Sequence, residues 1–106
     1  MNNLESAYED ILAECYEDYV GLWRVIRAVQ RVIGDNADAT EPTLLLIRRL
    51  LNTEEIVAGQ FNYQEWQEWK MPIEETMRRI ESEWKALDHE PNISEIVWFT
   101  SKLPQG

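Results

Sequence analysis

Few residues in this chain have side chains suited to acid–base, nucleophilic or metal chemistry. There is one histidine, His89, in the acidic turn Asp88-His89-Glu90, and one cysteine, Cys15. No second His or Cys stands at metal-ligand spacing, so no metal site is expected. Cys15 lies on an apolar stripe at helical spacing and reads as a small buried hydrophobe. Pairing it with His89 as a nucleophile would require that stripe residue to be exposed. No glycine-rich phosphate loop and no Walker-type lysine is present, so no cofactor is expected. The 20 Asp and Glu residues are scattered without any pairing that singles out a general acid or base. The expectation is a protein that is not an enzyme.

The aromatic residues carry more information. In Phe61-Asn62-Tyr63-Gln64-Glu65-Trp66-Gln67-Glu68-Trp69-Lys70, four large aromatics interrupt an otherwise polar segment. Such residues are either a lid over the core or a contact surface. Phe61 and Tyr63 continue a strand by alternation, with Phe61 expected inward. Trp66 and Trp69 stand three apart, and one short helical turn would place them on the same side. Tyr63, Trp66 and Trp69 are therefore the candidate partner-binding residues, since Trp and Tyr dominate interface energetics. Trp23, Trp84 and Trp98 fall on apolar patterns and are expected in the core.

Charge narrows the range of partners. The formal net charge of -10 repels nucleic acid and anionic membranes, and it favours proteins with a basic surface. Five arginines allow an alternative. Arg24, Arg27 and Arg31 share one helical stripe, and Arg48 and Arg49 sit on the next helix. A helix-helix-strand order is that of winged-helix folds, so a degenerate DNA-binding regulator is the competing reading. Against it, a groove-reading helix needs an exposed polar face, which residues 44–51 hardly offer. The longest aliphatic or aromatic runs are four residues, 44–47 and 96–99, far short of the roughly 20 needed to span a bilayer. The opening MNNLESAYED has neither a basic n-region nor an apolar h-region. A cytoplasmic protein is expected.

The elements that must position these residues follow from periodicity. Leu4, Tyr8, Ile11, Cys15, Tyr19, Leu22, Ile26, Val29 and Ile33 step by three or four residues, the helical period. Gly21 falls mid-stripe, so either one helix bends there or two helices meet. Gly34 suits the stop. Thr40 is the expected N-cap of a helix over residues 41–51, with Pro42 in its first turn. Its six aliphatic residues mark it as the central buried element. Ile56-Val57-Ala58 reads as a short strand. Pro72 opens the last helix, whose seam is Ile73, Met77, Ile80, Trp84 and Leu87. On its outer face Glu74–Arg78, Glu75–Arg79 and Glu81–Lys85 are set for i,i+4 pairing. Residues 93–100 read as a second strand, and 101–106 as a frayed tail.

The block Ile80-Glu81-Ser82-Glu83-Trp84-Lys85-Ala86-Leu87-Asp88-His89-Glu90-Pro91-Asn92-Ile93-Ser94-Glu95-Ile96-Val97-Trp98-Phe99 resembles the ending of a group of small bacterial proteins. Their pattern is a Glu-Trp-x-x-Leu helix, a Pro turn and an Ile-Val-Trp-Phe strand. The similarity covers roughly residues 56–99. It implies a bacterial origin and a small α+β fold, and it carries no catalytic residues. Some small acidic bacterial proteins of this general kind are immunity proteins against toxins, which is an analogy of fold and charge.

The sequence thus predicts one globular domain over residues 1–106. Its class is α+β, with three or four helices and a two-stranded sheet in the order helix-helix-strand-helix-strand. The strand pair is expected to be antiparallel. The predicted function is a non-catalytic protein-interaction module, immunity-like by analogy. A homodimer closed through the apolar helices is compatible with either functional reading.

Overall fold

The computed structural model describes residues 4–92 and 95–102. The element order is α1 (Leu4–Glu17), β1 (Val20–Gly21), α2 (Leu22–Ile33), α3 (Thr40–Asn52), β2 (Ile56–Asn62), β3 (Glu65–Glu68), α4 (Ile73–Ala86) and β4 (Trp98–Ser101). The class is α+β, as expected, but the sheet has four strands rather than two. Its order is β1-β4-β2-β3 and every neighbouring pair is antiparallel.

The long N-terminal stripe resolves into two helices separated by a strand. Asp18 ends α1 by accepting a hydrogen bond from the Tyr19 N–H at 2.7 Å. Val20 and Gly21 then pair with Phe99 and Trp98. Gly21 is therefore an extended residue at the sheet edge and not a bend within a helix. Gly34 stops α2 with φ 94°, a conformation open to glycine, and its N–H bonds the Gln30 carbonyl at 2.8 Å. Thr40 is the first residue of α3 and not its cap. The cap is Ala39, and the Asp38 carboxylate accepts from the Thr40 N–H at 2.9 Å. That bond holds the Asp38 carboxyl below the usual carboxylate range.

One apolar core joins the helices to one face of the sheet. Helix α3 lies at its centre: Leu44, Leu46, Ile47, Leu50 and Leu51 are buried, while Leu45 is 63% exposed. Ile11 and Cys15 of α1, Leu22, Val25 and Val29 of α2, and Ile80 of α4 are fully buried beside it. The α4 seam is deep only at Met77 and Ile80; Ile73, Trp84 and Leu87 pack against the rim. Trp23, Trp84 and Trp98, expected in the core, are all half-buried. A tryptophan at such a position keeps one edge wet while covering a large apolar area.

Side chains alternate across a strand, and the register sorts them. Val20, Phe99 and Ala58 stand side by side on the inner face, and all three are buried. Gly21, Trp98 and Gly59 make the next row, facing outward, with Phe61 and its cross-strand partner Trp66. None of these outward residues belongs to the core, and the same holds for Tyr19. Phe61 is therefore an outer-face residue, 40% exposed, and not the inward continuation of the strand.

The strand expected over 93–100 begins later, at Trp98, and runs to Ser101. Ile93 and Ser94 lie outside the described residues, as does 103–106 of the expected tail. Ser101 belongs to β4 and is buried. Ahead of β4, Ile96 has φ 71°, strained for a β-branched residue. The inward-facing Gln60 braces that bend, its amide donating to the Ile96 carbonyl at 3.0 Å.

Among the expected i,i+4 pairs, Glu81–Lys85 forms at 3.0 Å. The others are re-partnered: Glu74 binds Arg48 of α3, and Arg79 binds Glu83 at 2.7 Å. No helix among the described residues is long and apolar enough to cross a membrane.

Candidate functional site

Residues 65–68, expected in a link with a helical turn, form strand β3 of a tight hairpin. Tyr63 and Gln64 are its two-residue loop, with φ 52° and 73°. Positive φ at both central residues is what a type I′ turn requires, and such turns favour Asn-Gly. Tyr-Gln fills the role at a cost in backbone strain. Tyr63 points into solvent at 95% exposure.

The hairpin separates the three predicted contact residues. Tyr63 is at the tip, Trp66 is half-buried on the outer face, and Trp69 is turned to the inner side at 8% exposure. The Trp69 N–H donates to the Ala58 carbonyl at 2.8 Å. The Arg79 guanidinium lies 3.9 Å over its ring and reaches the Gln60 side-chain oxygen at 3.2 Å. Trp69 is a lid on the core, held down by that bridge.

Trp66 instead joins aromatics that the sequence reading placed elsewhere. Tyr19 lies 4.8 Å from Phe61 and 4.9 Å from Trp66, ring centre to ring centre. Phe61 lies 5.4 Å from Trp66 and 5.6 Å from Trp98. The interplanar angles run from 50° to 85°, the tilted and edge-to-face contacts that aromatic quadrupoles favour. The four rings pave the outer face of the sheet. Gly59 leaves the space that Trp66 fills, and the Trp98 ring lies against Gly21. Tyr19 and Trp98 were missed because one fitted a helical stripe and the other an apolar strand. The pleat parity of Trp98 against Phe99 was the signal available.

Acidic groups border this surface. On β3, Glu68 stands on this face and Glu65 on the opposite one; both are exposed, and among the described residues neither side chain has an ion-pair or hydrogen-bond partner. Glu14, already paired with Arg24, stands with it beside Tyr19 and Trp98 in a small, mainly apolar hollow of about 230 Å³.

The five arginines are not assembled into one patch. Arg24 binds Glu14 of α1 at 2.6 Å. Arg48 binds Glu74 of α4, and Arg49 binds Glu5 of α1 while lying 3.8 Å over the Tyr8 ring. Arg27, 5.7 Å from the Trp23 ring, and Arg31 line one hollow together with the acidic Asp35 and Glu90. The exposed residues of α3 are Glu41, Leu45, Arg49 and Asn52, a mixed and narrow face.

Cys15 is buried, and burial first, with Glu14 second, pushes its thiol up to about 12, so the thiolate is scarce at neutral pH. No group of three or more His, Cys, Asp or Glu among the described residues could hold a metal ion.

His89 lines an open groove of about 540 Å³ between α2, the 35–40 loop and the end of α4. Its Nδ1 is 2.8 Å from Asp88 and its Nε2 is 3.0 Å from Glu95, which also accepts from the Asn92 N–H at 2.7 Å. Asp88 first and Glu95 second hold the imidazolium, raising its pKa above the ordinary 6.5. A raised folded-state pKa means stability that is fully present below the unfolded value and lost as pH rises through the folded one. In a histidine-ring NMR titration, His89 should therefore protonate above 6.5, and Asp88→Asn should lower its midpoint. A wild-type midpoint at or below 6.5 contradicts the clamp.

Comparison with known proteins found no matching family model, no similar curated protein and no similar solved structure.

Proposed function

We propose that this protein is a non-catalytic interaction module whose contact surface is the aromatic outer face of the sheet together with the Tyr63 hairpin tip. Its partner is a protein with a basic surface. One observation carries the reading: Tyr19, Phe61, Trp66 and Trp98 form a contiguous ring cluster outside the core. An aromatic patch rimmed by polar residues marks interaction surfaces in soluble proteins. The turn supports it. Folding alone would favour Asn or Gly at position 63, yet a fully exposed tyrosine is held there in a left-handed conformation.

The exposed carboxylates and the net charge of -10 select the partner's sign. Arginine suits both features, since it pairs with carboxylates and stacks on ring faces. An immunity-like role, in which an acidic module covers a basic toxin, is one instance of this chemistry.

Two variants test it. Tyr63→Asn should raise stability by about 0.5–1 kcal/mol, because asparagine tolerates the left-handed region better. Adding Phe61→Thr should keep the chain folded and abolish affinity capture of a partner from lysate. The same captured proteins with the double variant and the wild type would sink the proposal.

A further inference from the structure

The contact surface has an open side. Among the described residues, strand β3 ends the sheet, paired with β2 on one side only. In a two-residue hairpin the residues flanking the loop, Asn62 and Glu65, are a hydrogen-bonded pair, and bonded pairs then alternate along the ladder. Glu65 and Gln67 thus spend their main-chain groups on β2. The bond from the Trp69 N–H to the Ala58 carbonyl continues the same phase. Trp66 and Glu68 fall in the opposite phase, so their N–H and C=O groups point away from β2. These groups form a strand-addition template four residues long.

Charge decides what can occupy it. Glu65 and Glu68 flank the template on opposite faces, both exposed and without side-chain partners among the described residues. A second copy of this chain pairing edge to edge would gather four carboxylates, two from each edge, along one short ladder, and like charge so concentrated is destabilising. The same two carboxylates attract a cationic strand. On the outer face, Trp66 offers its ring beside the added strand, continuous with the Phe61–Tyr19–Trp98 cluster.

We propose that the partner docks by β-strand addition to β3, through an extended segment with Arg or Lys at positions i and i+3. That spacing matches Glu65 and Glu68 in either strand direction and puts one cation on each face of the sheet. An apolar or aromatic residue of the segment packs against Trp66. Main-chain bonds to Trp66 and Glu68 supply affinity, and the two cations supply selectivity. This mode of docking rests on the interaction reading above and adds its geometry.

The test uses the full chain and a synthetic probe, acetyl-Thr-Arg-Val-Thr-Arg-Thr-amide. Binding should slow amide hydrogen exchange at Trp66 and Glu68 by about tenfold or more, leaving Tyr63 unaffected. Two versions of the peptide, N-methylated at alternate residues in opposite phases, should differ: one loses binding and the other keeps it. Glu65→Gln with Glu68→Gln should weaken binding by about tenfold and flatten its salt dependence. Equal behaviour of the two methylated peptides, or no probe binding, overturns strand addition. Protection of Trp66 and Glu68 without peptide, in a dimer seen by sedimentation, assigns the edge to a second copy and also overturns it. Probe shifts at Phe61 and Trp98 without edge protection overturn strand addition alone and leave the aromatic surface standing. Edge protection with lysate capture unchanged by Phe61→Thr/Tyr63→Asn overturns the aromatic surface instead.

Discussion

Trp69→Ala should cost about 3–5 kcal/mol of stability, the range for truncating a large buried aromatic. A domain of this size holds about 5–15 kcal/mol in all, so the variant should be marginal at room temperature. The expectation rests on what the ring covers. At 8% exposure it closes the core between the hairpin foot and α4. It also supports the Arg79 guanidinium, which links Gln60 to Glu83. Removing the ring leaves a cavity and frees that bridge at once. Trp69→Phe separates packing from polarity. The indole N–H of Trp69 is buried and has no partner among the described residues, so phenylalanine deletes an unsatisfied donor along with part of the ring volume. An orphaned buried donor costs about 1–3 kcal/mol, which offsets the lost packing, and Trp69→Phe should stay within about 1 kcal/mol of wild type. Urea unfolding measures both, with the m value reporting whether the denatured state has changed. A Trp69→Ala variant as stable as the wild type would mean that the ring is a surface contact and not a lid.

The same residue shows why the candidate site was only half legible. Trp66 and Trp69 are three apart, and that spacing alone fits one turn of helix. In a strand an odd separation puts two side chains on opposite faces, and here it sends one tryptophan outward and the other into the core. The choice between the two periods depends on the hairpin, and its usual signal, Asn-Gly or Asp-Gly, is replaced by Tyr63-Gln64. Strand β1 was hidden differently. Cys15, Tyr19 and Leu22 keep helical spacing across a break made by Asp18, so the stripe reads through two residues of strand. The stop of α2 at Gly34 did read correctly, and the start of α4 was read to within one residue, with Pro72 as the N-cap rather than the first helical residue; both carry their own chemistry locally. Phe61 failed for a more informative reason. Its parity with Val57 and Gly59 puts it outside, while its hydrophobicity argues for inside. Where pattern and residue type conflict, a functional surface is the expected cause.

Of the two glycines in the sheet, Gly59 is the one at which an added methyl, Gly59→Ala, should be damaging. The new Cβ would stand 2.7 Å from the Trp66 ring and closer still to the Gln67 carbonyl oxygen. The ring could swing away, but the carbonyl belongs to the paired strand and cannot move without opening the hairpin. Overpacking of this kind costs about 1–3 kcal/mol, and an obstacle in the backbone puts the expected value near the top of that range. The loss should be accompanied by displacement of the Trp66 indole, visible as a changed indole N–H resonance. Gly21→Ala is the matched control. Its Cβ would meet the Trp98 ring at 3.5 Å, ordinary contact, and φ is -79°, open to any residue. That substitution should change stability by less than about 1 kcal/mol, since strain is absent and the unfolded chain loses freedom. Equal effects of the two substitutions would mean that Trp66 does not lie over Gly59. The paved outer face would then lose the ring that joins the cluster to the sheet edge.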